Sequence, residues 1–145
     1  MRVLECSSKG DIRFSAFGAW VEVFGKMDKI ENHYQLCKRF NGVAPKHWSN
    51  AKGKKPTSIV LNGLELDVRF LSPFYKLMWV KYLDGNPDLV QYAKHFDEFN
   101  DFFRGRSVNC QADVIRQYVK EGRSSIIAEC EELMGLLWKN QKPNP

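Results

Sequence analysis

Asn62-Gly63 restricts this chain more than any other pair of residues. The dipeptide lies between Ser58-Ile-Val-Leu61 and Leu64-Glu-Leu-Asp-Val-Arg-Phe70, and Asn-Gly is the strongest two-residue signal for a tight hairpin. Leu64, Leu66 and Val68 alternate with Glu65, Asp67 and Arg69, so one face of the second strand is apolar and the other wet. An antiparallel pair over 58–70 follows, and the rest of the chain must cover its apolar face.

That cover is mostly helical. Ser72-Pro73 has the form of an N-cap and first helical residue, and predicts a helix to about Leu83 with Phe74, Leu77 and Met78 along one side. Asp84-Gly-Asn-Pro87 breaks it, and Pro87 opens another helix to about His95. A third spans 109–121, stopped by Gly122, and a last one over 125–139 aligns Ile126, Cys130, Leu133 and Leu137. Upstream, the aromatic and β-branched residues of 12–24 read as one or two short strands, and Pro45 opens a short helix over 45–52. Residues 96–108 mix aromatics with charges without a period, as a functional loop does. The expected class is therefore α+β: a mainly helical single domain over 1–140 with a small antiparallel sheet, and a frayed tail over 141–145.

Several function classes fall away. The chain has 145 residues, 43% hydrophobic and 27% charged, which is ordinary for a globular domain burying about two-thirds of its unfolded surface. No apolar run approaches the ~20 residues of a membrane span. The N-terminus carries an early acid and no long apolar run, unlike a signal peptide, so a cytoplasmic protein is expected. Cys6, Cys37, Cys110 and Cys130 are scattered without a Cys-x-x-Cys pair, and His33, His47 and His95 show no ligand spacing. Neither a metal site nor a cofactor is expected, and reduced, mostly buried thiols are.

Residues 28–40 carry the most chemistry. Asp28 and Glu31 have the spacing of a capping box opening a helix over 29–40, with Gly42 as its C-terminal cap. Ile30, Tyr34 and Cys37 form an apolar stripe. Glu31, Gln35 and Lys38 repeat that spacing about a third of a turn away, so an acid, an amide and a base line up beside the buried face. The net charge is +5, and its excess is uneven: Lys38, Arg39, Lys46, Lys52, Lys54 and Lys55 fall in an acid-free stretch. Such a block attracts phosphates, on nucleic acid or on a nucleotide.

The order of these blocks resembles the NADAR (YbiA-like) family of proteins linked to ADP-ribose. Arg13-Phe14-Ser15-Ala16-Phe17 resembles that family's Phe-Leu-Ser-Asn-Phe-Tyr segment, shortened by one residue. Ile30-Glu31-Asn32-His33-Tyr34-Gln35, with Lys38 following, resembles its Val-Glu-His-Ala-Tyr-Gln helix. Ala51-Lys52, then Gly53-Lys54, resembles its Ala-Lys-x-Leu-Gly-Arg element. Met78, Lys81-Tyr82 and Asn86-Pro87-Asp88-Leu89 resemble its helix ending Lys-Phe and the Asn-Pro-x-Leu after it. Asp101 to Gly105 and Asn109 are similar to its Asp-x-x-Trp-Gly loop and the following Asn, with Arg104 where the tryptophan stands.

The resemblance implies a YbiA-like fold and an N-glycosidase that releases ADP-ribose from a nucleobase, with guanine in DNA as one acceptor and reversal of a toxin-like modification as one setting. Two other readings keep the fold: a hydrolase of a small N-riboside, or a module that binds ADP-ribose without chemistry. Cleaving a C–N glycosidic bond builds positive charge at the anomeric carbon, which a carboxylate stabilises. Glu31 takes that role on the resemblance. Lys52 is the second catalytic candidate, either a nucleophile on the opened sugar or a cation facing the pyrophosphate. Arg13, Phe14, Ser15, Tyr34, Gln35, Lys38, Asp101, Arg104 and Asn109 are the substrate-binding candidates. For Phe14, Phe17 and Trp20 the residue type alone favours core packing, and for Trp79 and Tyr82 core or a pocket wall.

Overall fold

The computed structural model describes residues 1–101 and 111–141. Its organising element is the long helix Leu71–Asp84, labelled α3 in chain order below. Leu71, Phe74, Tyr75, Met78, Trp79, Val80 and Leu83 are buried along it. Their spacings of three and four make one wide apolar stripe, which the other elements share. Each fully buried large side chain in this stripe contributes about 1.5–3 kcal/mol of transfer free energy.

Before α3 come β1 (Val3–Glu5), a 3-10 turn (Ile12–Phe14), β2 (Trp20–Val23), β3 (Lys26–Lys29), α1 (Ile30–Leu36), β4 (Lys38–Arg39), α2 (Trp48–Ala51), β5 (Ser58–Leu61) and β6 (Leu64–Leu66). After it come α4 (Pro87–Ala93), β7 (Glu98–Asn100), α5 (Gln111–Arg116), a π-turn (Gln117–Glu121), α6 (Arg123–Glu129) and α7 (Glu131–Gln141). Helices and small sheets share one apolar core running from Leu4 to Leu133. The α+β class is thus observed. No helix among the described residues is long and apolar enough to cross a membrane.

The sheets differ from the single antiparallel one expected. β4–β5–β6 and β2–β3 are antiparallel, but β1 and β7 pair in parallel, with Val3 opposite Glu98. The Asn62-Gly63 hairpin forms as expected, with φ of 51° and 78°, the positive values a type I′ turn needs. Its second strand stops at Leu66, short of 70, because Asp67 accepts the Arg69 N–H at 2.8 Å and starts a 3-10 turn over Val68–Phe70. That turn runs straight into α3, so Ser72-Pro73 lies inside the first helical turn and does not cap it. Proline is tolerated there because those N–H groups have no partner within the helix.

The helix expected over 29–40 is α1, and it is shorter. Asp28 is in β3, where its carboxylate accepts from the Lys29 N–H at 2.8 Å and Asn32 Nδ2 at 2.7 Å. The capping box with Glu31 does not form, and Lys29 is the cap residue. The helix ends at Leu36 because Lys38 and Arg39 pair with Ile59 and Ser58 as β4. Asn41-Gly42 (φ 52° and 83°) turns the chain between Phe40 and Val43 and caps no helix. Residues 12–24 give a 3-10 turn and one strand, Phe24-Gly25 turning tightly into β3. The helix over 45–52 begins only at Trp48, capped by His47. α4 ends at Ala93. The last expected helix is two, broken at Cys130.

Candidate functional site

The site is built from the turn ahead of β2. Ser15, fully buried, accepts the Phe17 N–H on its hydroxyl at 3.2 Å, and its carbonyl accepts from Gly18 and Ala19 at 2.9 and 2.8 Å. The turn's outward carbonyls then receive the start of α1. Ala19 accepts from Ile30 at 2.9 Å and Ala16 from Glu31 at 3.0 Å. Those N–H groups would otherwise lack a partner at a helix start. Gln111 of α5 fastens the turn from behind: its Oε1 accepts the Ala16 N–H at 2.7 Å and its Nε2 donates to the Cys6 carbonyl at 2.6 Å. Glu31 is thereby fixed beside Ala16-Phe17 with only 8% exposure.

One turn on, Gln35 Nε2 donates to Glu31 Oε2 at 2.9 Å. The other end of this amide, Oε1, is buried and has no hydrogen-bond partner, in a side chain 4% exposed. An unmatched buried acceptor costs about 1–3 kcal/mol. Lys38 completes the row. Its Nζ lies 3.3 Å from the Ala51 carbonyl and 3.4 Å from that of Lys54, and 4.9 Å above the Tyr34 ring. Burial pushes its ammonium below the ordinary lysine value, while Cys37 and Glu31 act in the opposite sense.

Helix α2 brings the second catalytic candidate. His47 Nδ1 accepts the Ser49 N–H at 3.3 Å and Asn50 returns a bond to the His47 N–H, so four residues suffice to form a turn. Lys52 follows as its C-terminal cap. The Lys52 ammonium stands 4.9 Å over the Phe17 ring and 5.6 Å over Trp48, and these two rings meet edge to face at 5.5 Å. The contacts close a circuit: Glu31 to Ala16-Phe17, Phe17 to Lys52, and Ala51 to Lys38 on the Glu31 row. Lys46, Lys52, Lys54 and Lys55 are all exposed around it.

The structure therefore gathers Glu31, Gln35, Lys38 and Lys52, with Tyr34 beneath Lys38 and against Tyr75 at 5.1 Å. Arg13, Phe14 and Ser15 have their side chains engaged in other contacts. Arg13 grips Asp11 through Nε and Nη2 at 2.9 and 2.7 Å and covers Tyr92 at 4.8 Å. That hydrogen-bonded pairing holds the Asp11 carboxyl below its ordinary value. Phe14 is wholly buried core, and Ser15 spends its hydroxyl on the turn. Trp79 is buried core as well, whereas Trp20 is exposed. Asp101 lies half-buried after β7. Arg104 and Asn109 lie outside the described residues.

Two residues at the site had not been singled out by sequence. Trp48 lies inside the acid-free lysine stretch, and an aromatic among bases is a readable signal. Gln111 carries no signal in one sequence, since its role depends on a turn 95 residues away. Phe17, expected as core, is half-buried under Lys52.

The opposite side of α1 is different. A cleft of about 260 Å³ there is lined mainly by Val23, Phe24, Leu36, Cys37, Val60 and Phe74. Burial pushes the Cys37 thiol up to about 12, against the pull of Lys38 and Arg39, and Cys130 rises to about 11 for the same cause. Such thiols are not nucleophiles at neutral pH. Among the described residues no group of three or more His, Cys, Asp or Glu side chains is placed to hold a metal. No protein-family model matches the chain, and no curated protein matches it.

Proposed function

We propose that this chain is an N-glycosidase of the NADAR (YbiA-like) kind, with that family's fold, which hydrolyses the bond between ADP-ribose, or a related ribosyl phosphate, and a nucleobase. One observation carries the reading: the buried Glu31–Gln35 pair, whose amide oxygen has no partner, on the wall next to Lys52. A carboxylate and an unmatched acceptor side by side suit a polar ligand that brings donors of its own, such as a ribose with its hydroxyls.

In the reaction, water adds its oxygen to the anomeric carbon, the C–N bond breaks, and the base leaves with a proton on its nitrogen. Glu31 stabilises the positive charge that builds on the sugar, takes the proton from the attacking water and passes it to the departing base nitrogen. Gln35 orients Glu31 through Nε2 and accepts a sugar hydroxyl on Oε1. Lys52, held as a cation over two aromatic rings, faces the pyrophosphate, with Lys54 and Lys55 adding positive potential. Its rings offer a flat face to a base.

The test is release of free ADP-ribose from an ADP-ribosylated guanine oligonucleotide, followed by chromatography, with small N-ribosides in parallel. Release from the oligonucleotide supports the reading. Release from the small riboside alone changes the substrate, and release from neither, with ADP-ribose bound and unchanged, overturns the enzyme in favour of a binding module.

A further inference from the structure

We propose that Lys38 is a positioning residue whose buried ammonium clamps the backbone on both sides of Lys52 and so fixes where the Lys52 side chain stands relative to Glu31. The resemblance assigns Lys38 to substrate, but its geometry points inward. The side chain is 4% exposed. Its ammonium donates to the carbonyls of Ala51 and Lys54, the residue before Lys52 and the second one after it, at 3.3 and 3.4 Å. The Tyr34 ring closes a further side at 4.9 Å.

Burying an ammonium is costly unless its donors are met, and a methionine would fill the same space without that cost. The charge is used to hold backbone. Ala51 ends a helix of four residues, too short to hold its own end, and its carbonyl already accepts the Lys54 N–H at 3.0 Å. The second bond from Lys38 ties this loop to β4, which is itself pinned to Ile59 of β5. Burial disfavours the ammonium there, and Cys37 and Glu31 offset that only in part, so the two backbone carbonyls are what hold it. A shift of about 1 Å in a reacting or binding group costs up to ~10²-fold in rate, so the clamp matters to turnover.

The clamp is read without substrate, and only its effect on turnover rests on the N-glycosidase reading. The test is Lys38→Met, which keeps the stem and removes the charge. Amide exchange at residues 52–55 should rise at least ~10-fold in the folded variant, while α3 keeps its protection. In Lys38→Ala, ethylammonium should restore protection and ethanol should not. In turnover, Lys38→Met should lower kcat/KM by up to ~10²-fold, because Lys52, which it positions, is the pyrophosphate contact. Unchanged exchange at 52–55 overturns the clamp, as does rescue of Lys38→Ala by ethanol as well as by ethylammonium. If neither variant folds, the wild-type protein decides: nitrogen NMR should show a Lys38 ammonium protected from water, and a freely exchanging one overturns the proposal. An inactive wild type with the exchange changes intact removes the enzyme reading and leaves the clamp.

Discussion

Helix α1 has two faces that obey different rules. On one, Ile30 and Cys37 are buried against the core, and Cys37 lines a cleft with Val23, Leu36, Val60 and Phe74 whose polar lining is Lys26, His33 and Asn62. On the other, Glu31 and Gln35, with Lys38 of β4 beside them, are equally buried, yet these side chains hydrogen-bond or face an aromatic ring, and one amide oxygen remains unmatched. The apolar face needs only volume and shape to be satisfied. The polar face needs particular partners, drawn from a turn at 15–19 and a loop at 51–54. Burial is similar on the two faces, so burial alone does not distinguish core from site. Among the described residues Trp79 Nε1, in the core, is unmatched as well, so what sets the polar face apart is an unmatched acceptor beside a buried carboxylate.

The sharpest way to separate the faces is Glu31→Gln. It should lower kcat by about 10²–10⁴ while the melting temperature moves by a few degrees at most, read by turnover and calorimetry on one preparation. Normal turnover in that variant breaks the distinction.

The thiol of Cys37 tests the apolar face. With its pKa pushed up to about 12 by burial, labelling by iodoacetamide at mildly alkaline pH should be at least ~10²-fold slower than for a free thiol. Peptide mapping should find Cys37 labelled only after unfolding. Rapid native labelling would mean that this face opens.

Ile30→Ala should cost ~2–5 kcal/mol of stability in a denaturant titration, because Ile30 has no exposure. Its kcat, corrected for the folded fraction, should fall far less than that of Glu31→Gln. A larger kcat loss than stability loss would place Ile30 on the wrong face.

The smallest effect belongs to the turn that feeds the polar face. Asp11 has its carboxyl lowered from near 3.8 by the Arg13 side chain. A lowered carboxyl contributes stability that is present above its unfolded value and lost as pH falls through the folded one. Wild type should therefore exceed Asp11→Asn by no more than ~1 kcal/mol near neutral pH, the Arg13 side of the pair being open to solvent, and the difference should shrink as pH falls below 3.8 and vanish once the folded carboxyl is protonated. A difference that grows as pH falls would contradict the pairing.

How far these faces could be read from sequence depended on the distance over which each is determined. Asn62-Gly63 and Pro87 act within a few residues, and both were legible. The Glu31–Gln35 pair was legible because spacing along one helix sets it, whereas Lys38, expected on that helix, stands in β4. The Asp28 cap was misread because β3 captures Asp28 first, and Phe24-Gly25 hides its turn behind an aromatic residue rarely found at positive φ. The β1–β7 pairing joins Val3 to Glu98, with no local sign of either strand. At the site, Gln111 and the inward direction of Lys38 were invisible for the same reason: both depend on backbone carbonyls contributed by distant loops.

The central claim is that the polar face of α1 is a glycosidase wall. Its most direct test is the intact mass of an ADP-ribosylated guanine oligonucleotide incubated with wild type and, in parallel, with Glu31→Gln. The account predicts unmodified oligonucleotide and free ADP-ribose with wild type, and unchanged starting mass with the variant. An unchanged mass with wild type, or full conversion by the variant, would contradict it.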